Sequence, residues 1–283
     1  MRERWLVARG GEPSAACVFV LGLPHSGATR VYQYLVHRLG FAYFTQGVGR
    51  HPDTPAAITD LQHRLHGVYQ SDFRSREKSA RDPAEPRQAG AFWASALGQL
   101  AQGLPEEAGS AQRERLRRTL GAVQRSFGGA PFINKNVGHL RHIHALHRIF
   151  PESLFVVVER EPCEVALALY RKQRTQLHNP NPWWPLPLEQ AADLESKPLE
   201  EQVVGQLNAL QHALTQDLVR LPAQHTLCID YASFCQQPDQ LGMELVERIS
   251  PLGWRNAPVR RFRSQHLTAR TAGEERLLGL LTK

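Results

Sequence analysis

The stretch CVFVLGLPHSGATR, residues 17–30, predicts a strand, a glycine-containing loop and a helix in direct succession. Its first five residues are apolar and rich in β-branched and aromatic side chains, which is typical of a buried strand. Glycines at positions 22 and 27 permit tight turns. The residues from 28 onwards, ATRVYQYLVHRL, carry apolar side chains at helical spacing, so a helix is expected to begin directly after the loop.

Further strand-like and helix-like segments alternate along the chain. Strands are predicted at 17–21, 41–44 (FAYF), 131–134 (PFIN), 154–159 (LFVVVE) and 225–229 (HTLCI). Helical patterns lie between them, for example in HLRHIHALHRIF and LEEQVVGQLNALQHALTQDLVRL. This alternation predicts an α/β fold, a doubly wound and mostly parallel central sheet of about five strands with flanking helices. We expect one domain over 1–283, with a helical or loop cap at about 45–130.

The loop resembles a Walker A phosphate-binding loop but lacks its lysine. In the pattern G-x-x-x-x-G-K-[ST] the lysine would stand at position 28, where this chain has Ala28. Backbone amides at a helix start bind phosphate whichever side chains the loop carries. Without the lysine, hydrolysis of ATP or GTP is disfavoured. A plain turn without a ligand stays the alternative.

Composition and charge narrow the classes of protein further. Hydrophobic residues make up 42% and charged residues 22% of 283 residues, and the net charge of +7 suits a polyanionic ligand. The basic residues are scattered, with the densest groups at 113–118 and 259–263, so nucleic-acid binding is not predicted. The amino terminus is too polar for a signal peptide or a membrane span. Four cysteines without a C-x-x-C pair predict mostly buried free thiols and a cytoplasmic location.

Three motifs in order make the chain resemble the sulfotransferase family. These are GLPHSGAT at 22–29, VEREP at 158–162 and CIDYASF at 228–234. Relatives carry G-x-P-[RK]-S-G-T-T after the first strand and R-[DN]-P at the end of a later one, with a serine eight residues after the arginine. A tyrosine-acidic pair ends a further strand. The resemblance covers roughly residues 15–250.

The resemblance implies a donor, 3′-phosphoadenosine 5′-phosphosulfate, and a product, 3′-phosphoadenosine 5′-phosphate, with no metal. This donor has no γ-phosphate that would need a Walker lysine. The implied donor-binding residues of the loop are Pro24, His25, Ser26, Gly27, Ala28, Thr29 and Arg30. The amides of residues 26–29 would hold the phosphosulfate. His25, at a position that is usually lysine or arginine, would contact the bridging oxygen where charge develops.

The other implied positions each leave an alternative open. Arg160 would bind the 3′-phosphate, or pair with Glu159 or Glu161. Tyr231 would lie along the adenine, or pack in the core. Lys135 would face the sulfate as a catalytic residue, or be a solvated lysine. Besides His25, two positions depart from the family: Ala168 stands where relatives have the 3′-phosphate-binding serine, and Ala232 stands where an acidic residue follows the tyrosine.

The sequence indicates the binding site of the acceptor less clearly than that of the donor. Transfer to a hydroxyl group needs a general base, and we take His51 as the candidate, with Asp53 and Glu77 as rivals. The segments 45–110 and 179–190 would form the acceptor pocket, and the pair Trp183 and Trp184 would stack on an acceptor or pin a loop. The acceptor would be a carbohydrate, a lipid or a small-molecule phenol.

Two further interpretations remain open. A small-molecule kinase would share the loop and the sheet, and a degenerate, non-catalytic nucleotide-binding module would explain the departures from the family pattern. The histidines at 139, 142, 144 and 147 have no cysteine or carboxylate beside them to complete a zinc site, so they are predicted on a solvated helix face.

Overall fold

The computed structural model describes residues 1–71, 73, 82–101, 106–175, 191–258, 262 and 266–281. Its strands are β1 (Cys17–Leu21), β2 (Phe132–Lys135), β3 (Leu154–Glu159) and β4 (Thr226–Asp230). Its α-helices are α1 (Arg2–Gly10), α2 (Ala28–Arg38), α3 (Pro55–His66), α4 (Gly90–Ala101), α5 (Glu106–Ser126), α6 (Ile143–Ile149), α7 (Pro162–Thr175), α8 (Ala191–Glu195), α9 (Leu199–Leu218), α10 (Tyr231–Gln236), α11 (Pro238–Arg248) and α12 (Ala272–Leu281).

The strands form a parallel sheet in the order β2-β1-β3-β4. The chain passes from β1 to β2 on one side of it, and later to β3 on the other side. The direction of winding therefore reverses at β1, and the predicted doubly wound α/β fold is confirmed. In such sheets the crevice beyond the carboxyl ends of the strands, at the point of reversal, is where ligands bind. The loop after β1 lies at this crevice.

The segment 41–44 does not form the fifth strand that its composition predicts. Ala42 makes a single parallel bridge to β2. Two residues later the backbone has a different partner, because the Arg87 amide donates to the Phe44 carbonyl at 2.7 Å. Thr45 then makes a single antiparallel bridge to Pro86. Within the described residues the sheet therefore has four strands rather than about five.

Helices cover both faces of the sheet because successive side chains of a strand point to opposite sides. Phe19 and Leu21 of β1 face a core that α4, α5, α6 and α9 complete. Val18 and Val20 face a second core, which α2, α10 and α11 complete. All five residues of β1 are buried, as the apolar run predicts for a central parallel strand.

The span 45–130, expected to be a helical or loop cap, contains α3, α4 and α5 in its described part. Leu116, Leu120 and Val123 of α5 pack in the same core as Phe19, so α5 belongs to the helix layer on one face of the sheet. In the polar segment 70–90, residues 72 and 74–81, including Glu77, lie outside the described residues. The segment 179–190, with Trp183 and Trp184, also lies outside them.

The four cysteines differ in their exposure to solvent. The four cysteines are free thiols; Cys17 and Cys235 are buried, Cys163 is half-buried and Cys228 is exposed. Cys228 differs from the prediction because β4 is an edge strand whose residues are only partly covered. Among the described residues, no helix has both the length and the apolar character that crossing a membrane requires.

Candidate functional site

The loop between β1 and α2 turns tightly and folds back on the end of β1. His25 and Gly27 have positive φ angles of 66° and 96°. A Cβ on Gly22 would lie 2.4 Å from the Oγ of Ser26, so glycine is required there for the close approach. Histidine is one of the few non-glycine residues that tolerate the left-handed region.

Three successive amides at the start of α2 make no hydrogen bond within the described part of the chain. They belong to Gly27, Ala28 and Thr29, and the first turn of α2 contains no acidic residue. The amide of Ser26, which the sequence assigned to the same cradle, instead donates to the Leu23 carbonyl at 3.0 Å. Unpaired amides and the positive end of the helix dipole together form a site for an anion.

The Ser26 hydroxyl supports the same interpretation. Ser26 is 2% exposed, and its Oγ has no hydrogen-bond partner among the described residues. A buried hydroxyl group without a partner costs about 1–3 kcal/mol. Because this hydroxyl lies in the loop beside the unpaired amides, the loop fits a ligand that brings acceptor oxygens.

Arg160 and Tyr231, which follow β3 and β4, meet the loop at the carboxyl edge of the sheet. Arg160 donates from Nη1 to the His25 carbonyl at 3.0 Å, and its guanidinium carbon lies 5.4 Å from the centre of the Tyr231 ring. Arg30 donates to the Tyr231 hydroxyl at 2.8 Å. A Cβ on Gly27 would lie 2.2 Å from Tyr231 Cε2, so the ring packs directly against the loop backbone.

Tyr231 is therefore positioned as a support for the loop. It is 4% exposed and begins α10, where Asp230 accepts a hydrogen bond from the Ser233 amide and caps the helix. Burial raises the pKa of the Tyr231 hydroxyl, so the group stays neutral. The structure thus agrees with the alternative that Tyr231 packs in the core.

Glu164 is a residue of this site that the sequence analysis missed. Its carboxylate accepts from Arg160 Nε at 2.8 Å, and the residue is 7% exposed. The sequence does contain a signal for this ion pair, because Arg160 and Glu164 stand four residues apart at the start of a predicted helix. The sequence motif had drawn attention to Glu159 and Glu161 as partners instead.

Lys135, at the end of β2, is buried beside β1. It pairs in register with Val20 and is 6% exposed, so it is not a solvated lysine. Burial lowers the pKa of the Lys135 ammonium group to about 8. Its Nζ lies 3.4 Å from Gln88 Oε1, which places the segment before α4 at the carboxyl edge of the sheet.

The prediction that His139 lies on a solvated helix face is wrong. Residues 137–141 form a 3-10 helix that turns this ring inward, where it is fully buried. Its Nε2 lies 3.0 Å from Asn134 Oδ1, and its ring packs edge-on against Trp93 at 4.7 Å. Burial lowers the pKa of His139 to about 3, so the ring is neutral. His144, in contrast, is exposed.

The buried ammonium group of Lys135 leads to a prediction about stability and pH. In the folded protein its pKa is about 8 instead of 10.5, so its destabilising effect is complete below pH 8 and disappears as the pH approaches 10.5. Lys135→Met should raise the free energy of unfolding at pH 7 by roughly 3 kcal/mol. Urea denaturation of both proteins at pH 7 and pH 10 measures this.

The gain from Lys135→Met should be much smaller at pH 10 than at pH 7. Lys172→Met serves as the control, because Lys172 is a lysine of α7 that is only half-buried. An equal gain at both pH values would contradict the burial of a charged ammonium group at position 135.

The remaining predicted residues differ in burial. Pro24 and Ala28 are buried, and Thr29 and Ala168 are half-buried. His51 and Asp53 are exposed. The His51 amide donates to the Gly47 carbonyl, so its described hydrogen bonding is local.

A cleft of about 740 Å³ lies at the opposite edge of the sheet. It is lined by residues that precede β1, β3 and β4, and by Arg117 and Arg248. Both arginines are already paired, with Glu12 and Glu244. None of the loop residues lines this cleft, so it is separate from the candidate site.

Comparison with known proteins agrees with this geometry. The model of a family described as the sulfotransferase family matches residues 17–249. No curated protein matches the chain significantly. The sulfotransferase STF9 of Mycobacterium avium superposes with a TM-score of 0.53 at 17% identity, over 99% of this chain and 71% of that one. The sulfotransferase STF1 of Mycobacterium tuberculosis gives a TM-score of 0.52 at 14% identity, over 87% and 70%.

At these identities the two solved structures establish a shared fold only. The family model carries the assignment, because it spans most of the chain and includes the loop, Arg160 and Tyr231. On this match, the chain belongs to the sulfotransferase family.

Proposed function

We propose that this protein transfers a sulfuryl group from 3′-phosphoadenosine 5′-phosphosulfate to a hydroxyl group of an acceptor. The observation that carries the proposal is the lysine-free loop with three unpaired amides and an unpartnered buried hydroxyl, facing an arginine from the next strand. Such a loop suits a nucleotide with one 5′-phosphosulfate group and a second phosphate on the ribose. The cytoplasmic location stays a prediction from the sequence.

Position 28 argues against the kinase alternative. Ala28 is 3% exposed and packs in the core beneath α2. A lysine there would have to leave the core to reach a β- or γ-phosphate. The loop therefore offers amides rather than a mobile cation, which suits the shorter anion of the sulfuryl donor.

The loop and the arginine would divide the donor between them. The amides of Gly27, Ala28 and Thr29 would hold the 5′-phosphosulfate, together with the Thr29 hydroxyl. Arg160, with its planar set of donors, would hold the 3′-phosphate. Ala168 contributes no hydroxyl group to that end.

Two cationic side chains would act on the reacting group. The acceptor oxygen forms a bond to sulfur while the bond from sulfur to the bridging oxygen breaks, and the electron pair stays on the departing nucleotide. His25 and the loop amides would stabilise the charge on that oxygen. Lys135, at the neighbouring strand end, would face the sulfuryl oxygens. A base, for which His51 and Asp53 stay predictions, would take the acceptor proton.

Two measurements test the proposal together. Isothermal titration with 3′-phosphoadenosine 5′-phosphate, and separately with ATP and magnesium, shows which nucleotide binds. Release of 3′-phosphoadenosine 5′-phosphate from the donor, with water or a panel of phenols and sugars as acceptor, shows turnover. Binding without turnover in any of these conditions would favour the non-catalytic module, to which the departures at His25, Ala168 and Ala232 point. Preference for ATP would contradict the proposal.

Arg160→Ala should weaken 3′-phosphoadenosine 5′-phosphate binding about 10- to 100-fold, since a hydrogen bond to a charged group contributes roughly 1.5–3 kcal/mol. Adenosine 5′-phosphosulfate, which lacks the 3′-phosphate, is the control ligand in the same titration. Its affinity should fall less, and only because Arg160 also holds the loop through the His25 carbonyl. Equal loss for both ligands would remove Arg160 from the 3′-phosphate.

A further inference from the structure

Glu164 carries a buried negative charge at the edge of a site that we propose for an anion. It stands in the first turn of α7 and is 7% exposed. Its Oε2 accepts from Arg160 Nε at 2.8 Å, and its Oε1 lies 3.0 Å from Nδ1 of His266, whose side chain is exposed. A carboxylate here lowers the positive potential of the site. Attraction of an anion therefore cannot be the reason for its presence.

The contacts of Arg160 show what the carboxylate does. The pair of Glu164 and Arg160 has both side chains about nine-tenths buried, at 9% and 11% exposure. The guanidinium is planar, so a hydrogen bond at Nε orients its two other nitrogens. One of these nitrogens donates to the carbonyl of His25, whose φ is 66°. A line of contacts thus runs from α7 through the end of β3 to the backbone of the loop.

A second contact restrains the Arg160 side chain. The centre of the Tyr231 ring lies 5.4 Å from the guanidinium carbon. The Arg160 side chain therefore contacts both an aromatic ring and a carboxylate.

We propose that Glu164 is a positioning residue: it orients the Arg160 guanidinium so that this one side chain both fixes the loop backbone and presents donors to the 3′-phosphate. The second half of this statement rests on the proposed function, and the first half does not. If Glu164 only neutralised charge, its removal would tighten nucleotide binding. If it orients Arg160, its removal loosens the loop and weakens binding of the ligand that carries a 3′-phosphate.

The experiment compares Glu164→Ala, Glu164→Gln and Glu274→Ala with the unchanged protein. Glutamine keeps the volume and an oxygen acceptor for Arg160 Nε, so it should rescue the alanine phenotype. Glu274 is a matched control, since it is 3% exposed and pairs with Arg171 at 2.8 Å, but it touches no residue of the loop in the described contacts. Breaking that pair should lower thermal stability without affecting the site.

The first measurement is hydrogen exchange of the amides of residues 22–30 without any ligand. Glu164→Ala should speed their exchange, whereas Glu164→Gln and Glu274→Ala should leave it near that of the unchanged protein. Loop exchange in Glu164→Ala equal to that in Glu274→Ala would overturn the proposal. This result stands even for a chain that binds no nucleotide, so it is independent of the proposed function.

The second measurement is the ratio of affinities for 3′-phosphoadenosine 5′-phosphate and adenosine 5′-phosphosulfate. In Glu164→Ala this ratio should fall by roughly 10-fold, the value of one charge-assisted hydrogen bond, and in Glu164→Gln by less than about 3-fold. A rise in the ratio would show that Glu164 acts through charge alone and would overturn the role in positioning. Failure of the unchanged protein to bind either ligand would refute the proposed function, and the exchange data would still decide the role of Glu164 toward the loop.

Discussion

Replacing Gly27 with alanine is expected to destabilise the protein by roughly 2–5 kcal/mol and to abolish nucleotide binding at the loop. Two costs add. The φ of 96° puts an L-residue in the left-handed region, which costs about 1–2 kcal/mol. The new Cβ would also lie 2.2 Å from Cε2 of Tyr231, and overpacking of this kind costs about 1–3 kcal/mol. Urea denaturation gives the change in the free energy of unfolding.

Gly128→Ala separates these two costs. Gly128 also has a positive φ, 70°, and follows α5 in a turn closed by the Gly129 amide, which donates to the Gln124 carbonyl. A Cβ there meets nothing within 4 Å in the described part of the chain, so the variant should show the backbone cost alone. Tyr231 is buried and Arg30 donates to its hydroxyl group, so the ring cannot move away easily. Equal losses for Gly27→Ala and Gly128→Ala would mean that the ring does not limit the loop.

Removing the His25 side chain should lower turnover about 10²- to 10³-fold, the effect of losing one donor to a developing oxyanion. The variant of choice is His25→Gly, because the φ of 66° at this position would strain an alanine. The Arg160 hydrogen bond goes to the His25 carbonyl and survives the change. Affinity for 3′-phosphoadenosine 5′-phosphate should fall much less than kcat. Donor consumption with water as acceptor measures kcat without knowledge of the natural acceptor.

His25→Lys should restore most of the activity and extend it to higher pH, since a lysine keeps its proton where a histidine loses it. The extension has a limit. Lys135, with a pKa of about 8, loses its own proton in the same range. The alkaline limb of the lysine variant should therefore move toward pH 8 and no further. Turnover of His25→Gly close to that of the unchanged protein would leave catalysis to the amides alone and remove His25 from the mechanism.

Four of the five predicted strands and the main helices were correct, because their signals are local. A buried parallel strand needs a short apolar run, and β1, β2, β3 and β4 each have one. The segment 41–44 has the same composition but fails as a strand. Its backbone partner changes from β2 at Ala42 to residues 86–87 at Phe44 and Thr45. Composition shows that a segment suits a sheet, but not whether a partner strand continues beside it.

The sequence by itself determined the strand, loop and helix at 17–38 and the chemistry of a lysine-free loop, because adjacent residues carry both. Only the tertiary structure decided which residues meet there. Arg160 reaches the His25 carbonyl across 135 positions, and Arg30 reaches Tyr231 across 201. Burial of Lys135 and of the His139 ring depends likewise on segments far away in the chain. The spacing of apolar residues shows which face of a helix or strand is apolar. It does not show which distant segment of the chain covers that face.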